Sequence, residues 1–88
     1  MVAARAKVYL RFVGANVRRL RVKRGLTQQE LEEASGLDVR FIRRVERATV
    51  NLRFDTFVRL AEALKVEPGA LLKQAKLNPS PSGRPPRR

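Results

Sequence analysis

The chain has no cysteine and no histidine. Disulfides, thiolate or imidazole metal sites, and catalysis built on either residue are therefore excluded, and nothing in the composition calls for an oxidising compartment. Aromatic residues are few. Tyr9 and four phenylalanines fall mostly at core spacing and offer no platform on which RNA bases would stack. No apolar run approaches membrane-spanning length, and Arg5, Lys7 and Arg11 break up the apolar residues near the start, so neither a spanning helix nor a secretory leader is expected. Acidic residues are scarce, 8 in all, and no grouping of nucleophile, base and orienting residue is visible among them. The expectation is a cytoplasmic protein that is not an enzyme and that uses neither cofactor nor metal.

Positive charge is abundant. Twenty Lys and Arg set against 8 Asp and Glu give a formal charge of +12 on 88 residues. Such an excess points to a polyanionic partner, nucleic acid or an anionic surface. The length allows one small domain, whose core gives limited stability unless oligomerisation adds buried area. The charge is also distributed by segment. Residues 1–25 hold eight basic groups and no acid, whereas residues 26–37 hold only the acids Glu30, Glu32 and Glu33. Basic residues dominate again from Asp38 to Arg53, and the last ten residues add Arg84, Arg87 and Arg88. One basic and one acidic face are implied.

The stretch TQQELEEASGLDVRFIRRVE, Thr27 to Glu46, carries two helix starts separated by a glycine-bearing turn. Thr27 with Glu30 three residues later forms a capping box, in which hydroxyl and carboxylate each accept an otherwise unpaired N–H, so a helix should begin at Gln28. Leu31 and Ala34 give it an apolar stripe, Gly36 can take the positive φ that ends it, and Asp38 suits the N-cap of the next helix. A turn of about three to four residues between two helices is the spacing of a helix-turn-helix. The second helix should face Ile42 and Val45 to the core and arginines to solvent.

Around this pair the pattern predicts an all-α fold of five helices. Phe12, Val13, Val17 and Leu20 recur at helical spacing up to Gly25, with Val8, Tyr9 and Leu10 either extending that helix or forming an extended arm; the extension is the preferred reading. Phe54, Phe57, Leu60, Ala61 and Leu64 make the clearest helical stripe, with Asp55 in the first turn complementing the dipole. Pro68 should open a fifth helix carrying Ala70, Leu71, Leu72 and Ala75 to a stop at Asn78-Pro79. The domain is expected over residues 1–77. Residues 78–88, proline, serine, glycine and arginine after their first residue, are expected as a flexible basic tail.

Capping box, turn, second helix, Glu-Arg, Asn-containing loop and apolar helix, in that order from Phe12 to Leu72, resemble the lambda-repressor-like, Cro-type family of helix-turn-helix regulators. The phrase LDVRFIRRVERATVNLRFDTF is similar to controller proteins of restriction-modification systems, with phage repressors and antitoxin-type autoregulators as alternatives. The resemblance implies an ion pair between Arg21 and Glu46. It also places Val39, Arg40 and Arg44 toward base edges in the major groove of double-stranded DNA, where arginine can serve guanine and valine a thymine methyl. It puts Gln28 on a phosphate. Arg43 and Arg47 are candidate backbone contacts through their charge, and Asn51 is either a phosphate contact or a loop-satisfying residue. Phe41 packs under the preceding helix or lies at the groove wall. Where the family usually has glycine this chain has Ala48, and since alanine at positive φ is strained, another backbone path is expected there.

A single recognition helix reads too few base pairs to define a genomic site, so a homodimer is expected, with Val66, Leu71, Leu72 and Leu77 as interface candidates and RNA polymerase as a possible further partner. The rival reading of another class is a basic interaction module whose helix-turn-helix is only a scaffold for an acidic protein or RNA.

Overall fold

The computed structural model describes residues 4–77. Four α-helices follow one another, α1 (Ala4–Lys23), α2 (Gln28–Ser35), α3 (Val39–Glu46) and α4 (Phe54–Ala63), and then a 3-10 helix over Pro68–Leu72. No strand occurs among the described residues. The expected basic tail over 78–88 lies outside them.

The all-α expectation holds, and the upstream residues do continue α1 to Ala4 rather than forming an arm. Tyr9 packs edge-on to Phe12 at 5.8 Å, and the Arg5 guanidinium lies 5.9 Å from the Tyr9 ring centroid, contacts that join successive turns of one helix. One core collects the apolar stripes of every element: Val13, Val17 and Leu20 from α1, Leu31 from α2, Ile42 and Val45 from α3, Leu60, Ala61 and Leu64 from and just after α4, and Leu71. Phe54 departs from the expected stripe and stands 79% exposed at the start of α4.

The fifth helix is shorter and tighter than expected. It ends at Leu72, and Lys73 is extended at φ −63°, ψ 144°. Asn16, buried in α1, explains the stop: its Nδ2 donates to the carbonyls of Leu71 at 3.0 Å and Lys73 at 2.9 Å, the acceptors a continuing helix would have used.

Three helices finish in the same way. After α1, Gly25 N–H donates to Val22 O at 2.9 Å and Leu26 N–H to Arg21 O at 2.9 Å, the paired bonds of a Schellman motif. After α3, Ala48 and Thr49 repeat it toward Val45 and Arg44, and after α4, Lys65 and Val66 repeat it toward Glu62 and Ala61. The motif needs a left-handed residue, supplied by Gly25 at φ 74° but by Ala48 and Lys65 at φ 59° each. The expectation that Ala48 would avoid positive φ is therefore overturned. Its Cβ strain, about 1–2 kcal/mol, is offset by two bonds that satisfy carbonyls the helix end leaves open.

Candidate nucleic-acid interface

Thr27 caps α2 as its sequence requires, its hydroxyl accepting from Glu30 N at 3.0 Å while Glu30 Oε1 accepts from Thr27 N at 2.8 Å. Leu31 is buried, but Ala34 faces solvent, and the inward position one turn after Leu31 belongs to Ser35. The Ser35 hydroxyl donates to Leu31 O at 2.7 Å and accepts from Leu37 N at 3.1 Å, so a buried polar group is satisfied by the chain it turns. Gly36 takes φ 75°, and Asp38 begins α3 by accepting from Arg40 N at 2.7 Å. The turn is thus the three residues Gly36–Asp38.

Two devices fix where α3 points. At its C-terminal end Glu46 receives Arg21 Nε at 2.7 Å, Arg21 Nη2 at 3.2 Å and Gln28 Nε2 at 3.1 Å, which joins α1, α2 and α3 on one carboxylate. Arg21 Nη1 also donates to Leu26 O at 2.8 Å. The implied Arg21–Glu46 pair is present. Gln28, expected on phosphate, has its side chain engaged between helices, accepting from Arg43 Nε at 3.2 Å as well as donating to Glu46. The second device is Gly14. A Cβ there would collide with the Val45 carbonyl oxygen and stand 3.0 Å from that of Glu46, so glycine permits α1 to cross directly on the end of α3. A lone glycine between Val13 and Val17 in an apolar helical stripe was the sequence signal for this approach.

Ile42 and Val45 are buried as expected, and Phe41 packs against the core. Of the base-reading candidates, Val39 is half-buried, with its N–H 3.2 Å from Glu32 Oε2, while Arg40 and Arg44 are exposed. Arg40 and Arg44 lie one turn apart on the same side of α3. The Arg40 guanidinium is held by Asp38, Nε to Oδ1 at 3.2 Å and Nη2 to Oδ2 at 3.1 Å. That bond, with the Arg40 backbone N–H second, lowers the Asp38 carboxyl from 3.8 to about 2, and the same pairing raises Arg40.

The surrounding candidates divide. Arg43 and Arg47 are exposed along and just beyond α3, and exposed Asn51 turns its Oδ1 onto Leu52 N at 3.0 Å. Among the dimer candidates Leu71 is fully buried and is corrected to a core residue, because the 3-10 helix directs it between α1 and α4. Leu72 is 43% exposed, Val66 is partly buried against the core, and Leu77 is half-buried. Among the described residues no cluster of acidic side chains is arranged to hold a metal ion, and no helix is long and apolar enough to cross a membrane.

Two short capped helices around a tight turn, with the second pinned beneath and basic above, define a helix-turn-helix protein. A helix-turn-helix family model matches residues 17–71, and the chain belongs to that Cro/lambda-repressor-like family of DNA-binding transcriptional regulators. It is 41% identical over 56 residues to an uncharacterized HTH-type transcriptional regulator of Sinorhizobium fredii, covering 64% of this chain and 73% of that one. Among solved structures it is similar to the restriction-modification controller protein C.AhdI of Aeromonas hydrophila, with TM-score 0.68 and 39% identity over 70% of this chain and 94% of that one. It is also similar to a hypothetical transcription factor, NHTF, of Neisseria, with TM-score 0.71 and 32% identity over 74% of this chain and 75% of that one.

Proposed function

We propose that this regulator binds a pseudo-palindromic operator as a homodimer, with α3 in the major groove, and controls a restriction-modification operon. The observation that carries the reading is the exposed pair Arg40 and Arg44 on a helix clamped by Arg21, Glu46 and Gln28, since base readout needs cationic donors on a rigid support. Arg43 and Arg47 flank that face and serve phosphates; Val39 lies beside Arg40 and offers apolar contact to a base. Gln28 acts mainly through Arg43 and Glu46. The likeness to C.AhdI supports the controller role, with a phage-type or antitoxin-type autoregulator as the next reading.

The dimer rests on apolar groups the monomer core leaves uncovered, Phe54 at 79% and Leu72 at 43% exposure, together with the half-buried Val66 and Leu77. Selection of duplexes from a random pool tests the function. The expected product is a two-fold repeated site, on which Arg40→Ala and Arg44→Ala each cost about 1–3 kcal/mol while binding to random duplex changes little. Equal losses on both kinds of DNA exclude base readout. No selection by the unaltered chain favours the interaction-module reading instead.

A further inference from the structure

Asp38 does more at the start of α3 than a helix cap requires. One carboxylate oxygen, Oδ1, accepts both the Arg40 backbone N–H at 2.7 Å and Arg40 Nε at 3.2 Å, and the other, Oδ2, accepts Arg40 Nη2 at 3.1 Å. Both side chains are open to solvent, 77% and 50% exposed, so the arrangement is a surface pair placed at the tip of the reading helix rather than part of the core. A guanidinium has five N–H donors in a fixed plane. Asp38 takes the Nε–Nη2 edge. The Nη1–Nη2 edge, two parallel donors, is not the edge Asp38 occupies, and such a pair of donors can match the O6 and N7 acceptors of guanine.

The neighbouring backbone adds a second constraint. The N–H of Val39 lies 3.2 Å from Glu32 Oε2 and that of Arg40 is bonded to Asp38 Oδ1, so the first amides of α3, which in many proteins receive a phosphate, already face carboxylates. Two negative groups at this tip oppose any docking that brings it against the sugar-phosphate backbone. They do not oppose insertion toward base edges, where a carboxylate can itself accept from a cytosine amino group.

From this geometry we infer that Asp38 is a specificity-determining positioning residue: it holds the Arg40 guanidinium in a guanine-reading attitude and disfavours nonspecific seating of the helix tip on phosphate. The inference rests on the DNA-reading function proposed above. Its two parts give opposite signs on the two kinds of DNA. Loss of the carboxylate frees Arg40 to wander, which weakens the preferred site, and removes a negative charge near phosphates, which strengthens every other site.

The test uses the full chain, the duplex selected from a random pool and a scrambled duplex of equal length. Asp38→Asn keeps an N-cap side chain of nearly equal quality, so its melting midpoint should stay close to that of the unaltered protein. The expected result is about tenfold weaker binding to the selected duplex with unchanged or tighter binding to the scrambled one. In an Arg40→Ala background, Asp38→Asn should no longer weaken binding to the selected duplex, because no guanidinium is left to position, while any tightening on the scrambled duplex persists. A merely structural role predicts equal weakening on both DNAs and the same effect in either background, and that result overturns the inference. Unchanged selectivity in Asp38→Asn, with the unaltered chain still choosing its site, removes the Asp38 role and leaves the regulator reading standing. If the unaltered chain selects no sequence, both fall together.

Discussion

The Arg21 guanidinium grips Glu46 at two points, Nε to Oε2 at 2.7 Å and Nη2 to Oε1 at 3.2 Å, with only 11% and 5% of the two side chains exposed. Two residues twenty-five apart in sequence thereby tie the end of α1 to the end of α3. Gln28 and the Leu26 carbonyl satisfy remaining groups of the same pair, so the cost of burying both charges is spread over several bonds.

Removing one partner leaves the other charge shielded from water and unmatched. Arg21→Ala is therefore expected to destabilise the domain by about 3–5 kcal/mol, whereas exposed Arg18→Ala on the same helix should change stability by less than about 0.5 kcal/mol. Thermal melting of the two variants side by side checks this, and similar midpoints would refute the buried-pair account.

Gly14→Ala is expected to lower stability although alanine is the better helix former. The added Cβ meets the Val45 and Glu46 carbonyls, backbone atoms that cannot rotate away, so α1 and α3 must separate. Overpacking of this kind costs about 1–3 kcal/mol, more than the roughly 1 kcal/mol gained in helix propensity. Chemical denaturation of Gly14→Ala gives the sign directly; a variant more stable than the parent would show that the helices do not cross so closely.

What the sequence made legible is what depends on neighbours along the chain. Thr27 and Glu30 announce the start of α2, Gly25 and Gly36 announce ends, and Asp38 announces the next start, because each satisfies backbone groups within a few residues. The Arg21–Glu46 pair came from family resemblance, since no local rule joins positions so far apart. Ala48 and Lys65 were not legible as left-handed, as their side chains do not favour that conformation and the two Schellman bonds impose it. Leu71 and Leu72 are equally apolar, and only the position of the 3-10 helix, fixed by buried Asn16, decides that the first enters the core and the second does not. Phe54 fits the α4 stripe by spacing, yet it sits in the first turn, beyond the reach of the core.

Ala48→Gly is expected to stabilise the domain. Glycine relieves the left-handed strain of about 1–2 kcal/mol and loses roughly 0.4–1 kcal/mol to the freer unfolded chain, so a net gain between about 0 and 1.6 kcal/mol remains. The same replacement at exposed Ala34, within α2, should instead cost about 1 kcal/mol. Opposite shifts of the melting midpoint in these two variants are the expected signature, and a loss in both would mean that φ at Ala48 is not the controlling factor.

The Asp38 carboxyl gives a pH dependence whose direction follows from its partner. Its value in the folded chain is about 2 against an ordinary 3.8, chiefly because the Arg40 guanidinium bonds the ionised form and secondly because the Arg40 backbone N–H does. A group lowered on folding favours the folded state while ionised, so its contribution is complete above about pH 4 and disappears as pH falls toward 2. At neutral pH the Asp38–Arg40 pair is fully formed, and DNA selectivity carried by it should be flat between about pH 5 and 8. Carboxyl-carbon NMR titration of Asp38 should show a midpoint near 2 in the parent chain. In Arg40→Ala the midpoint should move up toward the ordinary value while staying somewhat below it, because the amide of residue 40 still caps the helix. Identical midpoints in the two proteins would mean that the guanidinium does not rest on Asp38 in solution, and the preorganised reading edge of Arg40 would fall with it.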